Sequence, residues 1–515
     1  MNSKSKLSRL TAIVLIGSMM MTGLAGCIAK EKSTKSTAKN ESVQLVYYKL
    51  FDNEDVIRPL IQQYMSSHPN VQITYKKFTD PVEYENLIVN ELAEGEGPDI
   101  FSAPNYWFLR NVKKISPMPE EMMTAKQFGE TFVSVATNDL VLRDPSDSKI
   151  KVFGIPLTVD TLALYYNKGT FDDKIPSRGR PAETWEELKD DVFKITKKDQ
   201  SFERFELAGI AMGRSDNIAR AVDILFMLML QYKIKFYNDN ISEAQFGKQT
   251  AISVANISYN PAVEALKLYT SFALPANKNY SWNQYLADSK SAVKEMDSFA
   301  RGKVAMIFGY SYLYDQILSQ IKDLKSKGVQ TMDEKNVKIA VVPQVIDPKT
   351  STEKRVAYAN YYAETVSRTS KHPAEAWDFL NFISGKENLA YYNEKTHKPT
   401  SRRDMIEDQL KDPVYGVFAE QIGFAESFPI YDATRYVQIF SKAIDSVLAT
   451  QSPTDVLRTA EDSINLMLPA EGMIPPAPAE PATVPSKTTA KTASSTAKTT
   501  TTSSKTTTGG SNTQQ

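Results

Sequence analysis

Between residues 43 and 101 the apolar pattern switches repeatedly between the two-residue period of a strand and the helical period of 3.6, and few folds accommodate that alternation. Val43-Gln44-Leu45-Val46-Tyr47-Tyr48 predicts a first strand. Asp52 or Asn53 is placed to cap a helix carrying Val56, Ile57, Leu60, Ile61 and Tyr64, which His68-Pro69-Asn70 ends. Residues 71–75 predict a second strand, Pro81 opens a second helix with Leu87, Ile88 and Leu92, and Gly95-Glu96-Gly97-Pro98 turns the chain into Asp99-Ile100-Phe101. A βαβαβ order demands a largely parallel sheet covered by helices, so the chain belongs to the α/β class. The same grammar returns later: 153–166 reads as strand, Thr184-Trp185-Glu186-Glu187 as a capping box opening a helix, and 303–308 as a strand after 296–301.

Length allows more than one such unit. The 515 residues correspond to about three ordinary domains, or to two larger lobes with extra ends. With 42% hydrophobic and 10% aromatic residues, most of the chain is able to fill a core. The 61 basic and 61 acidic residues cancel, but unevenly. The first 26 residues hold three basic residues (Lys4, Lys6, Arg9) and no acid, while 28–41 and 471–515 each hold four Lys and two Glu. That leaves 50 basic against 57 acidic residues in 42–470, a net of −7. A mildly acidic body lacks the concentrated basic face that nucleic acid phosphates require, so nucleic acid is not an expected partner.

The ends carry their own information. Lys4, Lys6 and Arg9 form a positive leader, the apolar run 12–21 is too short for a stable membrane span, and Leu24-Ala25-Gly26-Cys27 closes it. Small residues at 25 and 26 let an extended chain enter a peptidase groove, and the Cys27 thiol supplies the nucleophile that takes a diacylglycerol. This is the pattern of a bacterial lipoprotein signal. Cys27 is the only cysteine, which excludes an intrachain disulfide and a cysteine-ligated zinc site. The reading gives a signal peptide over 1–27, a flexible tether over 28–41, and a mature protein lipid-anchored on the extracytoplasmic face of the cell membrane. Residues 471–515 run from Ile474-Pro475-Pro476-Ala477-Pro478 into Ser/Thr/Lys/Ala repeats, which have nothing to bury and read as a disordered tail.

Catalytic signals are thin. No G-x-S-x-G, P-loop or strand-linked G-x-G-x-x-G occurs; His68, His372 and His397 are far apart; and Asp144, Asp147 and Asn238-Asp239-Asn240 lack calcium-loop spacing. The expectation is no enzyme, no cofactor and no metal. Aromatic residues are the more informative population. Asn105-Tyr106-Trp107, Trp282, Tyr310-Ser311-Tyr312, Tyr361-Tyr362 and Phe428-Pro429-Ile430-Tyr431 fall at strand ends or in loops. Rings beside amides and carboxylates suit sugars, whose C–H faces pack on π surfaces while hydroxyls take hydrogen bonds. Stapling of loops to the body is the competing role for such rings.

Several landmarks line up with a known family. Gly97-Pro98-Asp99-Ile100, Phe153-Gly154-Ile155-Pro156 with Asp160-Thr161 and Leu164-Tyr165-Tyr166-Asn167-Lys168, and Pro181-Ala182-Glu183-Thr184-Trp185-Glu186-Glu187-Leu188 recur in its order. So do Phe299-Ala300-Arg301-Gly302-Lys303-Val304-Ala305-Met306 with Gly309, and Lys371-His372-Pro373-Ala374-Glu375-Ala376-Trp377-Asp378-Phe379-Leu380. Over about 43–468 the chain resembles the maltose-binding-protein type of bacterial extracellular solute-binding proteins, the capture subunits of ABC importers. It departs where Asn360-Tyr361-Tyr362 replaces a glycine-rich patch.

The resemblance implies a two-lobe periplasmic-binding-protein fold, type II-like, with three interlobe crossings near 156–161, 358–364 and 410–414. Lobe 1 would comprise 42–159 and 363–412, and lobe 2 160–362 and 413–470. It implies ligand contacts from Asp160 with Thr161 beside it, from Tyr310 or Tyr312 after Gly309, from Asn105, Tyr106 and Trp107, and from Tyr431 or Tyr436. Trp282, Tyr361 and Tyr362 join the candidates as aromatics in loop positions. The expected function is a monomeric, lipid-tethered receptor that closes on a small polar solute, a carbohydrate above all, and hands it to ABC permease subunits. A surface receptor on the same scaffold without transport and a secreted hydrolase are the alternatives.

Overall fold

The computed structural model describes residues 42–473 apart from 201–203, 253–257 and 288–293; the lipobox cysteine Cys27, the tether and the tail from 474 onward lie outside the described residues. Within the unit that begins at Ser42 the first sheet forms as the sequence period requires. Its strands β1 (Val43–Leu50), β2 (Val71–Phe78) and β3 (Ile100–Pro104) are connected by helices α1 (Glu54–Ser67) and α2 (Pro81–Glu94). In α1 the residues Ile57, Leu60, Ile61 and Tyr64 form the buried stripe. In α2 the Asp80 carboxylate accepts from the amides of Val82 and Glu83, Pro81 occupies the first turn, and Gly95 at φ +78° ends the helix. The N-cap of α1 differs from expectation. Asn53 makes no capping bond and the Asp52 side chain is committed to lysines and a tyrosine instead.

The sheet order is β2-β1-β3, then Tyr362–Ser367, then β4 (Ile115–Ser116), with Ile155–Pro156 also paired to Tyr362–Ser367. β1 runs parallel to both β2 and β3, whereas Tyr362–Ser367 is antiparallel to all its partners. Asp99 sews the Gly-Pro-Asp-Ile turn to this sheet, accepting from the Val46 amide at 2.8 Å and from Ser370 Oγ at 2.5 Å.

A second sheet centres on Ala163–Asn167, buried along its whole length and flanked on both sides by antiparallel strands, Met306–Gly309 and Val337–Ala340. The helix Ala221–Gln231 is apolar almost all round and buried, with the helices Pro261–Ser271 and Ala433–Leu448 packed against it. The predicted strand over 153–166 is therefore two strands in two sheets. Residues 157–162 pass between the lobes, side by side with 358–362: Leu162 donates its amide to the Tyr358 carbonyl at 2.9 Å and Asn360 to that of Asp160 at 3.1 Å. The chain passes between the lobes again between Ser401, whose hydroxyl donates to the Pro156 carbonyl, and Gln421, whose amide nitrogen donates to Thr161 Oγ1 and the Leu162 carbonyl. Residues 471–473, expected in the tail, are held: the Met473 amide donates to the Asn240 carbonyl at 2.8 Å. A Cβ on Gly472 would lie 2.3 Å from that same oxygen.

Candidate functional site

Because α1 carries the chain to one side of β1 and α2 returns it to the other, the carboxyl ends of β1 and β3 diverge and leave a crevice, the place where open α/β sheets bind ligands. A cleft of about 1830 Å³ opens there, between the lobes. The first lobe contributes the residues that follow the two strands, Phe51 and Asp52 after β1 and Tyr106 and Trp107 after β3, with Tyr361 and Tyr362 from the adjoining crossing. Phe51 adopts φ +72°, a left-handed conformation unusual for a side-chain-bearing residue, and meets the Tyr362 ring edge-on at 5.9 Å. Tyr106 donates its hydroxyl to Glu85 at 3.1 Å. Trp107 packs edge-on against Phe101 at 5.7 Å.

The floor on this side is a buried ionic network. Lys49 pairs with Glu364 and lies 3.3 Å from Asp52, which also pairs with Lys398 at 2.6 Å and accepts from the Tyr392 hydroxyl. Against the upward push of burial, the ammonium groups of Lys398 and Lys49 hold the Asp52 carboxyl below the usual range. Tyr47 and Ser102 hydroxyls donate to Glu364 at 2.9 and 2.8 Å.

The second lobe presents a tyrosine pair. Gly309 precedes it, and a Cβ there would sit 2.1 Å from Leu313 Cδ2, so only glycine permits the turn into Tyr310-Ser311-Tyr312. The Tyr310 and Tyr312 rings lie near-parallel with centroids 6.2 Å apart, and the Arg220 guanidinium rests 5.3 and 5.8 Å from them. Arg220 also donates to the Tyr312 hydroxyl, and Tyr310 donates to Asp223 at 2.9 Å. Asp160, on the crossing, accepts from Ser311 Oγ at 2.6 Å, from the Ser311 amide at 3.1 Å and from the Thr161 amide at 2.9 Å. Burial pushes its pKa up to about 6 in spite of those donors. At the far end Tyr431 lies under Arg110, whose guanidinium is 4.3 Å from the ring and donates to the Tyr431 carbonyl at 2.7 Å. Tyr436 shares a 2.9 Å hydroxyl contact with Tyr237.

Of the twelve residues expected to touch ligand, Tyr106, Trp107, Asp160, Tyr310, Tyr312, Tyr361, Tyr362, Tyr431 and Tyr436 line this cleft. Three do not. Asn105 is buried behind the wall, donating to Asp139 at 2.9 Å; Asp139 also accepts from Tyr361 and Ser427. Thr161 is wholly buried and serves as acceptor for Gln421. Trp282 is wholly buried, its indole nitrogen donating to Asn217 at 2.8 Å. Its apolar area and single donor are satisfied by packing, which is the stapling role. The expectation missed Phe51, Asp52, Arg220, Asp223 and Lys398. The end of the first strand of a βαβαβ unit was a signal for the first two; Arg220, Asp223 and Lys398 come from distant segments and carried none.

The chain resembles known proteins over most of its length. It is 22% identical over 410 residues to a binding protein of Brucella abortus, covering 78% of this chain and 87% of that one. The sugar-binding protein MalE from Xanthomonas citri shares 15% identity and superimposes with a TM-score of 0.64, covering 82% of this chain and 97% of its own. An ABC transporter solute-binding protein from Thermotoga lettingae, bound with α-D-tagatose, shares 19% identity with a TM-score of 0.60, covering 83% of this chain and 100% of its own. Residues 59–414 match the model of the bacterial extracellular solute-binding proteins, and with two lobes, a crevice at the strand ends and crossings beneath it, the chain belongs to that family.

Proposed function

We propose that the protein is a lipid-anchored receptor that captures a small polar solute, a sugar or oligosaccharide, and delivers it to the permease of an ABC importer. The observation that carries this reading is the set of aromatic residues that line one cleft from both sides of the crossings, Phe51, Tyr106 and Tyr362 together with Tyr310 and Tyr312, with carboxylates and cations among the lining. Rings of that kind stack on sugar faces, and the polar groups that line the same cleft supply hydrogen bonds to hydroxyls. The Xanthomonas and Thermotoga proteins, described as sugar-binding and tagatose-bound, support the ligand class.

Capture proceeds by hinge closure. Lobe 1 (42–159 and 363–412) and lobe 2 (160–362 and 413–470) pivot on the paired crossings, and a ligand touching both lobes favours the shut form. The receptor acts as a monomer, without cofactor, and reaches the membrane only through Cys27. Titration calorimetry of residues 42–473 against mono- and oligosaccharides, amino acids and peptides tests the reading: saccharide binding with a smaller radius of gyration by small-angle scattering is expected. Binding only to peptides or amino acids would overturn it. For the anchor, Cys27→Ser should shift the protein out of the membrane fraction and abolish acyl labelling.

A further inference from the structure

The cleft wall of the first lobe carries four cations that have no acidic partner among the described residues. Arg110 and the two lysines that follow it, Lys113 and Lys114, lie on the helix α3 (Trp107–Asn111) and the turn Val112–Lys114, and all three line the cleft. Arg143, at the end of the strand Val141–Arg143, lines the same cleft. Arg110 and Arg143 donate only to carbonyl oxygens, of Tyr431 and Ser148. Among the described residues no carboxylate approaches any of the four within ion-pair distance. Burial, and after it the nearby Arg110 guanidinium, draws the Lys114 ammonium downward.

The acids of the cleft offer no relief, because their hydrogen bonds are already made inside the protein. Asp52 and Glu364 are tied to lysines, Glu85 to Tyr106, Asp160 to Ser311, Asp223 to Tyr310, and Asp432 to the amide of Arg435; Glu471 is the exception. Four cations without a carboxylate partner therefore line the first-lobe side of the cleft, in a body whose net charge is −7. That is the reverse of what composition alone would produce, and the rim is continuous with the aromatic site through the contact of Arg110 on Tyr431.

We propose that the ligand is an acidic oligosaccharide whose carboxylate groups seat on the rim formed by Arg110, Lys113, Lys114 and Arg143 while its sugar faces enter between the tyrosines. The inference rests on the sugar-receptor reading and adds the ligand's charge. Guanidinium and ammonium groups with no internal carboxylate bind ligand carboxylates through charge-assisted hydrogen bonds, and each guanidinium here has donors left beyond the one given to a carbonyl. An exposed rim of like charge also raises the encounter rate of an anionic chain, in a way that salt suppresses.

Calorimetry of the mature protein with tetragalacturonate and maltotetraose, each at low and high sodium chloride, tests the proposal. Tetragalacturonate is expected to bind at least about tenfold more tightly, the scale of one charge-assisted hydrogen bond, and to lose that margin in high salt. The double variant K113Q/K114Q and the single variant Arg143→Gln should weaken tetragalacturonate by a similar factor, leave maltotetraose unchanged and melt at the wild-type temperature. Maltotetraose binding with equal or greater affinity, or a tetragalacturonate affinity indifferent to salt and to the variants, would overturn the ligand's charge and leave the sugar receptor standing. Refusal of both saccharides would overturn the inference, while the sugar reading stands or falls on the wider panel of mono- and oligosaccharides, amino acids and peptides.

Discussion

The Lys49–Glu364 pair under the cleft offers the sharpest energetic test. Both side chains are nearly inaccessible, at 4% and 1% exposure, and Glu364 additionally accepts from Tyr47 and Ser102. Together with Asp52 and Lys398 they make a neutral cluster of two cations and two anions. Glu364→Gln preserves shape but leaves a net positive charge in a region that excludes water. Stranding one partner of a buried pair costs about 3–5 kcal/mol. The lower end applies here, about 3 kcal/mol, because the amide oxygen still accepts one hydrogen bond and Asp52 stays 3.3 Å from Lys49. Adding Lys49→Met removes the stranded ammonium and should return stability to within about 1 kcal/mol of wild type, since apolar replacement of a buried pair is close to neutral. Urea unfolding followed by tryptophan fluorescence measures both, compared through midpoints at constant slope. A single variant costing less than about 1 kcal/mol, or a double variant less stable than the single, would refute the reasoning that charge rather than shape holds this floor together.

Tyr312, 39% exposed on the cleft wall, and Trp282, wholly buried, should separate binding from packing: Tyr312→Ala is expected to weaken saccharide affinity by about 1–3 kcal/mol with little change in melting, whereas Trp282→Ala should cost about 3–5 kcal/mol of stability and leave the folded fraction binding normally. Asp160, with its pKa raised to about 6, binds a proton more tightly folded than unfolded, so its contribution favours the folded state at low pH and is lost as pH rises from about 4 through 6. Melting curves of wild type minus Asp160→Asn should therefore fall across that window, by up to ~3 kcal/mol, and a flat difference would contradict the burial of this carboxyl. Deletion of 474–515 should move the melting temperature by no more than about two degrees, while deletion from 469, which also removes the Met473–Asn240 tie, should lower it further in calorimetric scans.

The fold was legible wherever local pattern and tertiary role agree. The switches of period through β1, α1, β2, α2 and β3 needed only the alternation of apolar residues and the turn chemistry of Pro81 and Gly95. The run 153–166 misled because its apolar residues are continuous, and a buried strand in one sheet cannot be told by periodicity from two strands in two sheets. The lining of the candidate site was legible in its aromatics, because loop tyrosines are conspicuous once the core is assigned. Trp282 misled for the same reason: its loop folds back into the second lobe, and only packing reveals that.

By itself the sequence determined the α/β class, the first unit's order of elements, the polar ends and the population from which the cleft would be drawn, because each of those depends on residues near one another in the chain. Only the tertiary structure decided the site. The Lys49–Glu364 contact joins positions 315 residues apart, Arg220 meets Tyr312 across 92, and Arg110 reaches Tyr431 across 321. Whether a given tyrosine stacks in a core or faces a ligand, and whether a given lysine meets a carboxylate or waits without one, depends on which distant strand ends converge. Closure of the chain into two sheets with shared crossings settles that convergence, and no local period encodes it.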